Sequence, residues 1–258
     1  MVIDHLHAPF ATAWCRLAAS LLVSLMFWPT ALAATPPSSV TVMSVEAMPL
    51  SSSNPDRPGL TLEMTREAAR RAGITPQFAF IPWRRAQEQV ATGRDLLITP
   101  LARTPEREDR YRWIAPLYRV ERTLATLDRP VDSLADALAE RRTILVGAGT
   151  AQEQLLRSAG YPPELILCVK VGEREIDLLV SGRAQAWLNS SPETIWRWQQ
   201  AKRPEPLLLG RPIQSDDVYL ACSRDCSGAL IESFSQAIRE MRADGSMDRL
   251  LLRYEGGY

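Results

Sequence analysis

Residues 143–160, TILVGAGTAQEQLLRSAG, contain the strand–turn–helix unit on which the predicted fold depends. Residues 143–146 are mostly apolar or β-branched, as is typical of a buried strand. The glycine-rich turn 147–150 follows, and residues 151–159 show helical spacing before Gly160, a common type of helix stop. A buried strand that leads directly into a helix predicts one unit of a parallel sheet.

The same unit recurs on both sides of this stretch. Before it, we predict strands at 40–45, 77–81 and 96–99 and helices at 60–72 and 83–92. After it, we predict strands at 165–169 and 184–188 and helices at 173–180, 228–242 and 246–253. Alternating strands and helices predict parallel sheets that helices cover on both faces. Two separate runs of such units predict two α/β lobes rather than one large sheet.

Charge and composition exclude several classes of function. The chain of 258 residues carries 30 basic and 30 acidic side chains, so it lacks the basic surplus with which proteins coat nucleic acids. Its two histidines, His5 and His7, lie in an N-terminal segment that we expect to be removed. The mature chain would then have no imidazole for Ser-His-Asp or Cys-His catalysis, for a histidine metal site or for pH sensing. We predict neither a metal nor a cofactor.

The N-terminal segment has the pattern of a secretory leader. Residues 17–28, LAASLLVSLMFW, form one apolar run, whereas a membrane span needs roughly 20 such residues. Small residues follow at 31–34, ALAA, which is typical of a cleavage site. We therefore predict a signal peptide over residues 1–33, cleaved after Ala33, and a mature protein in the periplasm. An uncleaved membrane anchor is the alternative.

Export would allow the cysteines to form disulfides, because disulfides form in oxidising compartments. Cys222 and Cys226 are four residues apart, just before a predicted helix, and we expect a local disulfide between them. Two unpaired cysteines in a loop are the alternative, and a metal site is disfavoured because no histidine or further cysteine is nearby. Cys168 lies in the apolar run LILCV and is predicted to be a buried strand residue.

Three motifs in the first half of the chain follow one another in a familiar order. Residues 93–99 read GRDLLIT, residues 103–107 read RTPER and residues 113–118 read WIAPLY. Together they resemble the G-x-D-(apolar)…T-x-x-R…F-x-x-P-Y core of the family 3 solute-binding proteins, the polar amino acid-binding proteins of ABC importers. Later segments resemble further motifs of that family in the same order: VGAGT at 146–150, GRAQA at 182–186 and MRADGS at 241–246.

The resemblance implies the type II periplasmic-binding fold, in which two α/β lobes are joined by two strand crossovers. Each lobe would be a mainly parallel sheet flanked by helices. Residues 34–120 and 216–258 would form lobe 1, which is discontinuous, and residues 121–215 would form lobe 2. The ligand would be buried between the lobes and would stabilise their closed state.

Candidate binding residues follow from this resemblance and from the turns after strands, where open α/β sheets bind ligands. By resemblance, Arg107 would clamp a ligand carboxylate, which a planar guanidinium can bind bidentately, and Thr104 would support it. Thr99 ends the preceding predicted strand. Gly149 and Thr150 would offer backbone N–H groups at a helix start.

Asn189 departs from the family pattern. Amino acid-binding members carry an Asp at this position, which pairs with the ligand ammonium, whereas Asn189 is neutral. Glu46 in the first loop could supply the missing negative charge, or it could be an exposed loop acid. Trp83 could pack its ring against the ligand, or it could belong to the core.

These features predict a monomeric periplasmic protein that captures a small polar, carboxylate-bearing solute, such as an amino acid, for an ABC importer. The expected partners are that ligand and an ABC permease or a membrane sensor, with no nucleic acid. The leading hypothesis involves no catalysis. The first alternative is a sensory binding module that works without a transporter. The second is an enzyme of the cyclohexadienyl dehydratase type on the same fold, with Glu46 or Glu173 as general acid.

Overall fold

The computed structural model describes residues 37–255. The predicted signal peptide at residues 1–33 lies outside this range, as do the two histidines. Within residues 37–255, no helix has the length and apolar character that a membrane crossing requires.

The chain alternates strands and helices over most of its length. The strands are β1 (Ser39–Ser44), β2 (Thr75–Phe80), β3 (Leu97–Ala102), β4 (Tyr111–Thr126), β5 (Ile144–Gly147), β6 (Ile166–Val169), β7 (Ala186–Ser190), β8 (Leu208–Leu209) and β9 (Gln214–Ser223). The helices are α1 (Leu60–Arg71), α2 (Trp83–Thr92), α3 (Leu134–Ala139), α4 (Ala151–Ser158), α5 (Glu175–Val180), α6 (Ser191–Ala201), α7 (Gly228–Ala243) and α8 (Ser246–Glu255). Two 3₁₀ turns occupy Pro105–Arg110 and Pro163–Leu165.

Two parallel units lie at opposite ends of one hydrogen-bonded ladder, whose strand order is β2-β1-β3-β9-β4-β7-β5-β6. In the first unit, β1 pairs in parallel with β2 and β3, and in the second, β5 pairs in parallel with β6 and β7. The long strands β4 and β9 lie between the units and pair antiparallel with each other. The fold is therefore α/β and two-lobed, with β4 and β9 as the two crossovers.

The parallel part of each lobe is three strands wide, and the crossover strands extend it in the antiparallel sense. Hereafter lobe 1 denotes β1–β3 with α1, α2, α7 and α8, and lobe 2 denotes β5–β8 with α3–α6. The boundaries predicted near residues 120 and 216 fall inside β4 and β9, which are shared by both lobes.

Each lobe has its own apolar core. In lobe 1, Met64, Leu97 and Phe234 are fully buried in one cluster. In lobe 2, Ile144 and Leu156 are fully buried in another. Further clusters cover the second face of each parallel unit. Apolar side chains at helical and strand spacing thus form two cores, which leaves the space between the lobes available for a site.

Most of the predicted elements agree with the structure, including α2 at both ends. The resemblance implied two strand crossovers, but the bounds of the long strands β4 and β9 were not predicted, and neither were α3 and α6. The predicted strand at 96–99 extends instead over Leu97–Ala102. The predicted disulfide is confirmed, since Cys222 and Cys226 are bonded across 6.1 Å between their Cα atoms.

The prediction that Cys168 is buried is wrong in degree. Cys168 lies in a strand, as expected, but it is half-buried and unpaired. The reason is the position of β6 at the end of the ladder, where all four of its residues are half-buried.

Candidate functional site

A cavity between the lobes holds about 640 Å³ of empty space, counting the part that is open to solvent. The carboxyl ends of β3, β5 and β7 all reach it, as expected for a ligand site in an open α/β sheet. Its lobe 1 wall consists of Val45, Ala47, Leu50, Trp83, Pro100, Ala102 and Arg107. The crossover strands contribute Val120, Arg122 and Val218. Its lobe 2 wall consists of Gly147, Thr150, Ala151, Gln152, Val171, Glu175, Trp187, Asn189, Ser190 and Glu193.

Arg107 is positioned by the 3₁₀ turn that follows β3, and its side chain is 1% exposed. Nη1 donates to the carbonyl oxygen of Ala102 at 3.0 Å, and Nη2 donates to that of Gly149 at 2.9 Å. Nε has no hydrogen-bond partner. Burial lowers the pKa of Arg107 to about 10, so the guanidinium is still charged at neutral pH. Among residues 37–255 no acidic group pairs with it within 4.0 Å, and a buried cation therefore faces the cavity without an anion.

The turn between β5 and α4 is held by side chains from lobe 1. The carbonyl oxygen of Gly149 accepts from Gln87 at 2.7 Å as well as from Arg107. Arg84 pairs with Glu153 at 2.9 Å, and the same carboxylate oxygen accepts from the backbone N–H of Gly149 at 2.7 Å. Since these contacts bridge the two lobes, the structure represents a closed arrangement.

Thr150 caps the N-terminus of α4 on the cavity wall. Its hydroxyl donates to the carbonyl oxygen of Gly147 at 2.7 Å and accepts from the backbone N–H of Glu153 at 3.3 Å. The cap fixes the turn whose backbone meets Arg107 from the other side of the cleft.

The lobe 2 wall carries two buried carboxyl groups, both in the first turns of helices. Glu175 is 2% exposed, and its carboxylate accepts from Arg197 at 2.8 Å and from the backbone N–H of Gly172 at 2.8 Å. Glu193 is 6% exposed, and the nearest cationic nitrogen is Nη1 of Arg197 at 3.8 Å. Burial raises the pKa of Glu193 to about 7, which Arg197 offsets only in part.

Arg122 on β4, which is buried, and Asp216 on β9, which is half-buried, form an ion pair across the crossover strands. The guanidinium of Arg122 lines the cavity but already has its anion. Asn189 and Ser190 end β7 opposite this strand, and the side-chain oxygen of Asn189 accepts from Gln152 at 3.0 Å. The hydroxyl of Ser190 is buried and has no hydrogen-bond partner.

The structure brings four of the predicted site residues together in the cavity wall: Trp83, Arg107, Thr150 and Asn189. Trp83 is also part of a buried cluster, so it belongs both to the core and to the wall. Gly149 lies beside the cavity as the bridging turn.

Thr99, Thr104 and Glu46 do not line the cavity. Thr99 is fully buried behind Pro100, and its carbonyl oxygen accepts from Ser44 at 2.7 Å. Thr104 donates to Gln154 of lobe 2 at 3.3 Å. Glu46 is exposed, and its carboxylate accepts from the backbone N–H of Ser53 at 3.0 Å, within its own loop.

Sequence reasoning missed Glu175, Glu193 and Arg122. A signal for Glu193 exists in the chain, because Pro192 followed by an acid is typical of a first helical turn directly after a strand. Arg122 and Asp216 are far apart in sequence, and only the pairing of β4 with β9 brings them together. The described residues contain no group of three or more His, Cys, Asp or Glu side chains that could hold a metal ion.

Known structures share this fold at low sequence identity. A histidine kinase sensor domain with similarity to periplasmic binding proteins has a TM-score of 0.77 at 16% identity, with 84% of this chain and 95% of that chain covered. An ancestral arginine-binding protein bound to glutamine has a TM-score of 0.75 at 16% identity, with coverages of 86% and 100%. A substrate-binding protein of an ABC uptake transporter from Streptococcus pneumoniae with bound histidine has a TM-score of 0.75 at 14% identity, with coverages of 85% and 93%.

By sequence, no curated protein matches this chain significantly. The family comparison is decisive, because it extends over residues 40–257 and thus over both lobes and both crossovers. The chain belongs to the bacterial extracellular solute-binding proteins, family 3.

Proposed function

We propose that this protein captures a small carboxylate-bearing solute, such as an amino acid, between its two lobes. The observation that carries the proposal is the buried guanidinium of Arg107, which faces the cavity without an acidic partner among the described residues. A buried charge is costly unless it is paired, so a carboxylate that enters the cavity gains a strong charge-assisted contact. The lobe 2 turn at Gly149 and Thr150 would cover the ligand from the opposite side.

The transport role is part of this proposal. The predicted leader would export the chain to the periplasm, where a ligand that bridges both lobes would stabilise the closed state. An ABC permease would then recognise that closed state and accept the solute. The solved structures support the ligand class, since they include a relative from Streptococcus pneumoniae with bound histidine and an ancestral relative with bound glutamine.

The sensory alternative uses the same cavity with a different partner. Its support is the histidine kinase sensor domain that shares the fold. Uptake of labelled amino acids by a strain that lacks this chain distinguishes the two roles. Lost uptake supports the importer, whereas unchanged uptake together with a lost response to the solute supports the sensor.

The two glutamates suggested from the sequence as the general acid of an enzyme do not fit that role. Glu46 and Glu173 are both exposed and lie outside the cavity, so neither could protonate a solute held there. An enzyme on this scaffold would have to use Glu175 or Glu193, which do line the cavity. Turnover of prephenate by the purified protein, abolished by Glu193→Gln, would establish that alternative in place of pure binding.

The carboxylate proposal is tested at Arg107. Binding of L-arginine, L-glutamine and L-histidine is measured by calorimetry for the parent protein and for Arg107→Ala. We expect the variant to lose about 2–4 kcal/mol of affinity for whichever of these ligands binds, because their carboxylate is left without its cation.

The matched control for this test is Arg110→Ala. Arg110 lies on the same 3₁₀ turn, but its side chain is 42% exposed and pairs with Glu88 on the surface. We expect its ligand affinity to equal that of the parent protein. Unchanged binding in Arg107→Ala would remove Arg107 from the site and contradict the proposed function.

A further inference from the structure

Of the four ionisable side chains that line the cavity, only two have a close partner of opposite charge within residues 37–255. Arg122 has Asp216 as its partner, and Glu175 has Arg197. Arg107 on the lobe 1 wall and Glu193 on the lobe 2 wall are each without an opposite charge within hydrogen-bond distance, as far as the described residues go. The cavity therefore presents one uncompensated cation and one undercompensated acid on opposite walls.

Competition for one arginine leaves Glu193 undercompensated. Arg197 donates to Glu175 at 2.8 Å, and its guanidinium carbon lies 5.3 Å from the ring centre of Trp187. In this position its other terminal nitrogen is 3.8 Å from the carboxylate of Glu193 and makes no hydrogen bond. Because one guanidinium serves Glu175 at close range, Glu193 is left with the weaker of the two interactions with Arg197.

Asn189 and Ser190, which line the cavity with Glu193, are polar and neutral. Ser190 is 4% exposed, and its hydroxyl lines the cavity without a hydrogen-bond partner. The amide of Asn189 supplies dipoles but no charge. An ammonium group has three donors and a full positive charge, so a carboxylate and a hydroxyl that belong to the same cavity wall are suitable acceptors for it.

We propose that Glu193, assisted by the hydroxyl of Ser190, binds a cationic group of the solute, so that the preferred ligand is a zwitterion held between Arg107 and Glu193. The inference rests on the proposed function, because it takes the carboxylate end of the solute to be at Arg107. A zwitterion brings no net charge into the cavity and supplies a partner to both uncompensated groups. The neutral Asn189 is then no obstacle to amino acid binding, since the negative charge is carried by α6 instead of by β7.

The protonation of Glu193 is consistent with this role. Burial raises its pKa to about 7, and the facing charges are Arg197 on its own helix, Glu175 on α5 and Arg122 on β4. A ligand cation in contact with the carboxylate would lower that pKa and favour the charged form.

The experiment compares amino acids with analogues that lack one cationic group. Calorimetry at pH 7.5 pairs L-glutamine with 4-carbamoylbutanoic acid and L-histidine with 3-(imidazol-4-yl)propanoic acid. L-Arginine is paired with both 5-guanidinopentanoic acid and L-citrulline. Each compound is titrated into the parent protein, into Glu193→Gln and into Glu173→Gln, which changes an exposed glutamate outside the cavity.

We expect Glu193→Gln to weaken binding of the preferred amino acid about 10- to 100-fold, as for the loss of one partner of a buried ion pair. Its affinity for the analogue that lacks the contacting cation should stay within about threefold of the parent value, because no charge contact is lost there. Glu173→Gln should leave every affinity unchanged. Glu193→Asp keeps the charge, so it should still prefer the amino acid over that analogue even where its overall affinity is lower.

The outcomes separate this inference from the proposed function. Equal weakening of the amino acid and all its analogues in Glu193→Gln would show a merely structural role and overturn the inference. Parent protein that binds the analogues as tightly as the amino acids would also overturn it, while the capture of a carboxylate at Arg107 would stand. Binding of none of these compounds would overturn both.

Discussion

At the scale of single residues, two of the ionisable side chains that line the cavity, Arg107 and Glu193, are buried without a close partner of opposite charge in the described part of the chain. Burial is the largest cause of both pKa shifts, downward for Arg107 and upward for Glu193. In each case burial disfavours the charged form, which costs stability at any pH where that form predominates. If the proposed ligand pairs with these groups, we expect it to remove that cost and thereby to raise the stability of the protein.

The pH dependence of stability tests the shift at Glu193. Because its pKa in the folded protein is raised to about 7, the stability that this group contributes is complete below its ordinary pKa and is lost as the pH rises toward 7. We expect the free energy of unfolding of the ligand-free protein to fall by up to about 3 kcal/mol between roughly pH 5 and pH 8 because of this residue. Urea denaturation across that range measures the change.

Glu193→Gln is the control variant. Its free energy of unfolding should not show the part of the decrease between roughly pH 5 and pH 8 that Glu193 causes. Glu67 and Asp128, whose pKa values are lowered to about 2 by neighbouring arginines, titrate below that window and do not obscure it. An equal dependence of the free energy of unfolding on pH in the variant and in the parent protein would contradict the raised pKa of Glu193.

At the scale of elements, short helices depend on their caps and on the strands that precede them. The helix α4 has 8 residues, and the hydroxyl of Thr150 occupies its N-cap while also anchoring the carbonyl oxygen of Gly147. One hydroxyl thus connects the end of β5 to the start of α4 at the cavity wall. In the crossover strands, the ion pair of Arg122 and Asp216 joins β4 to β9 at the cavity wall.

The cap predicts a difference between two substitutions at one position. Thr150→Val removes the hydroxyl at nearly constant volume and should lower the free energy of unfolding by about 1 kcal/mol. Thr150→Ser keeps the hydroxyl and should stay close to the parent value. Chemical denaturation measures both variants, and equal stability of Thr150→Val and Thr150→Ser would show that the cap is not the source of the effect.

At the scale of the whole molecule, closure depends on how closely the lobe 2 turn approaches α2. Gly149 has a φ of +77°, and a Cβ atom there would lie 3.2 Å from the Cβ of Arg84 and 3.2 Å from the amide nitrogen of Gln87. Glycine is therefore favoured here for two reasons, its backbone conformation and the close contact between the lobes. Glycine in this turn permits a closed state in which Arg107 reaches across the cleft.

Substitution of two glycines separates these requirements. Gly160 has a φ of +70° but open space where a Cβ would lie, so Gly149→Ala and Gly160→Ala share the backbone cost of about 1–2 kcal/mol. We expect only Gly149→Ala to weaken ligand binding, by about tenfold, because only there must the lobes move apart. Calorimetry and small-angle scattering with ligand measure the affinity and the radius of gyration. Equal affinities of the two variants would contradict a role for this contact in closure.

The features that the sequence predicted correctly are those set by neighbouring residues. The helices predicted over 60–72, 83–92 and 151–159 are each followed by a glycine and end within one residue of the observed ends, because a helix stop is a local event. The disulfide of Cys222 with Cys226 closes a short loop. Its prediction needed only the spacing of the two cysteines and the expected oxidising compartment. The full lengths of β4 and β9 were not predicted from the residue pattern, because polar and charged residues interrupt these strands and their stability comes from pairing with each other.

The sequence by itself therefore determined two runs of strand–helix units, their glycine-limited helices and the turns after strands from which a site is built. Only the tertiary structure decided which charges face the cavity, because ion pairing depends on side chains that are distant in sequence. It placed Glu46 on the surface and gave Arg197 to Glu175, 22 residues away, which left Glu193 facing the cavity. Hydrophobic period and turn chemistry act over a few residues, whereas the balance of buried charge is set by the packing of the whole chain.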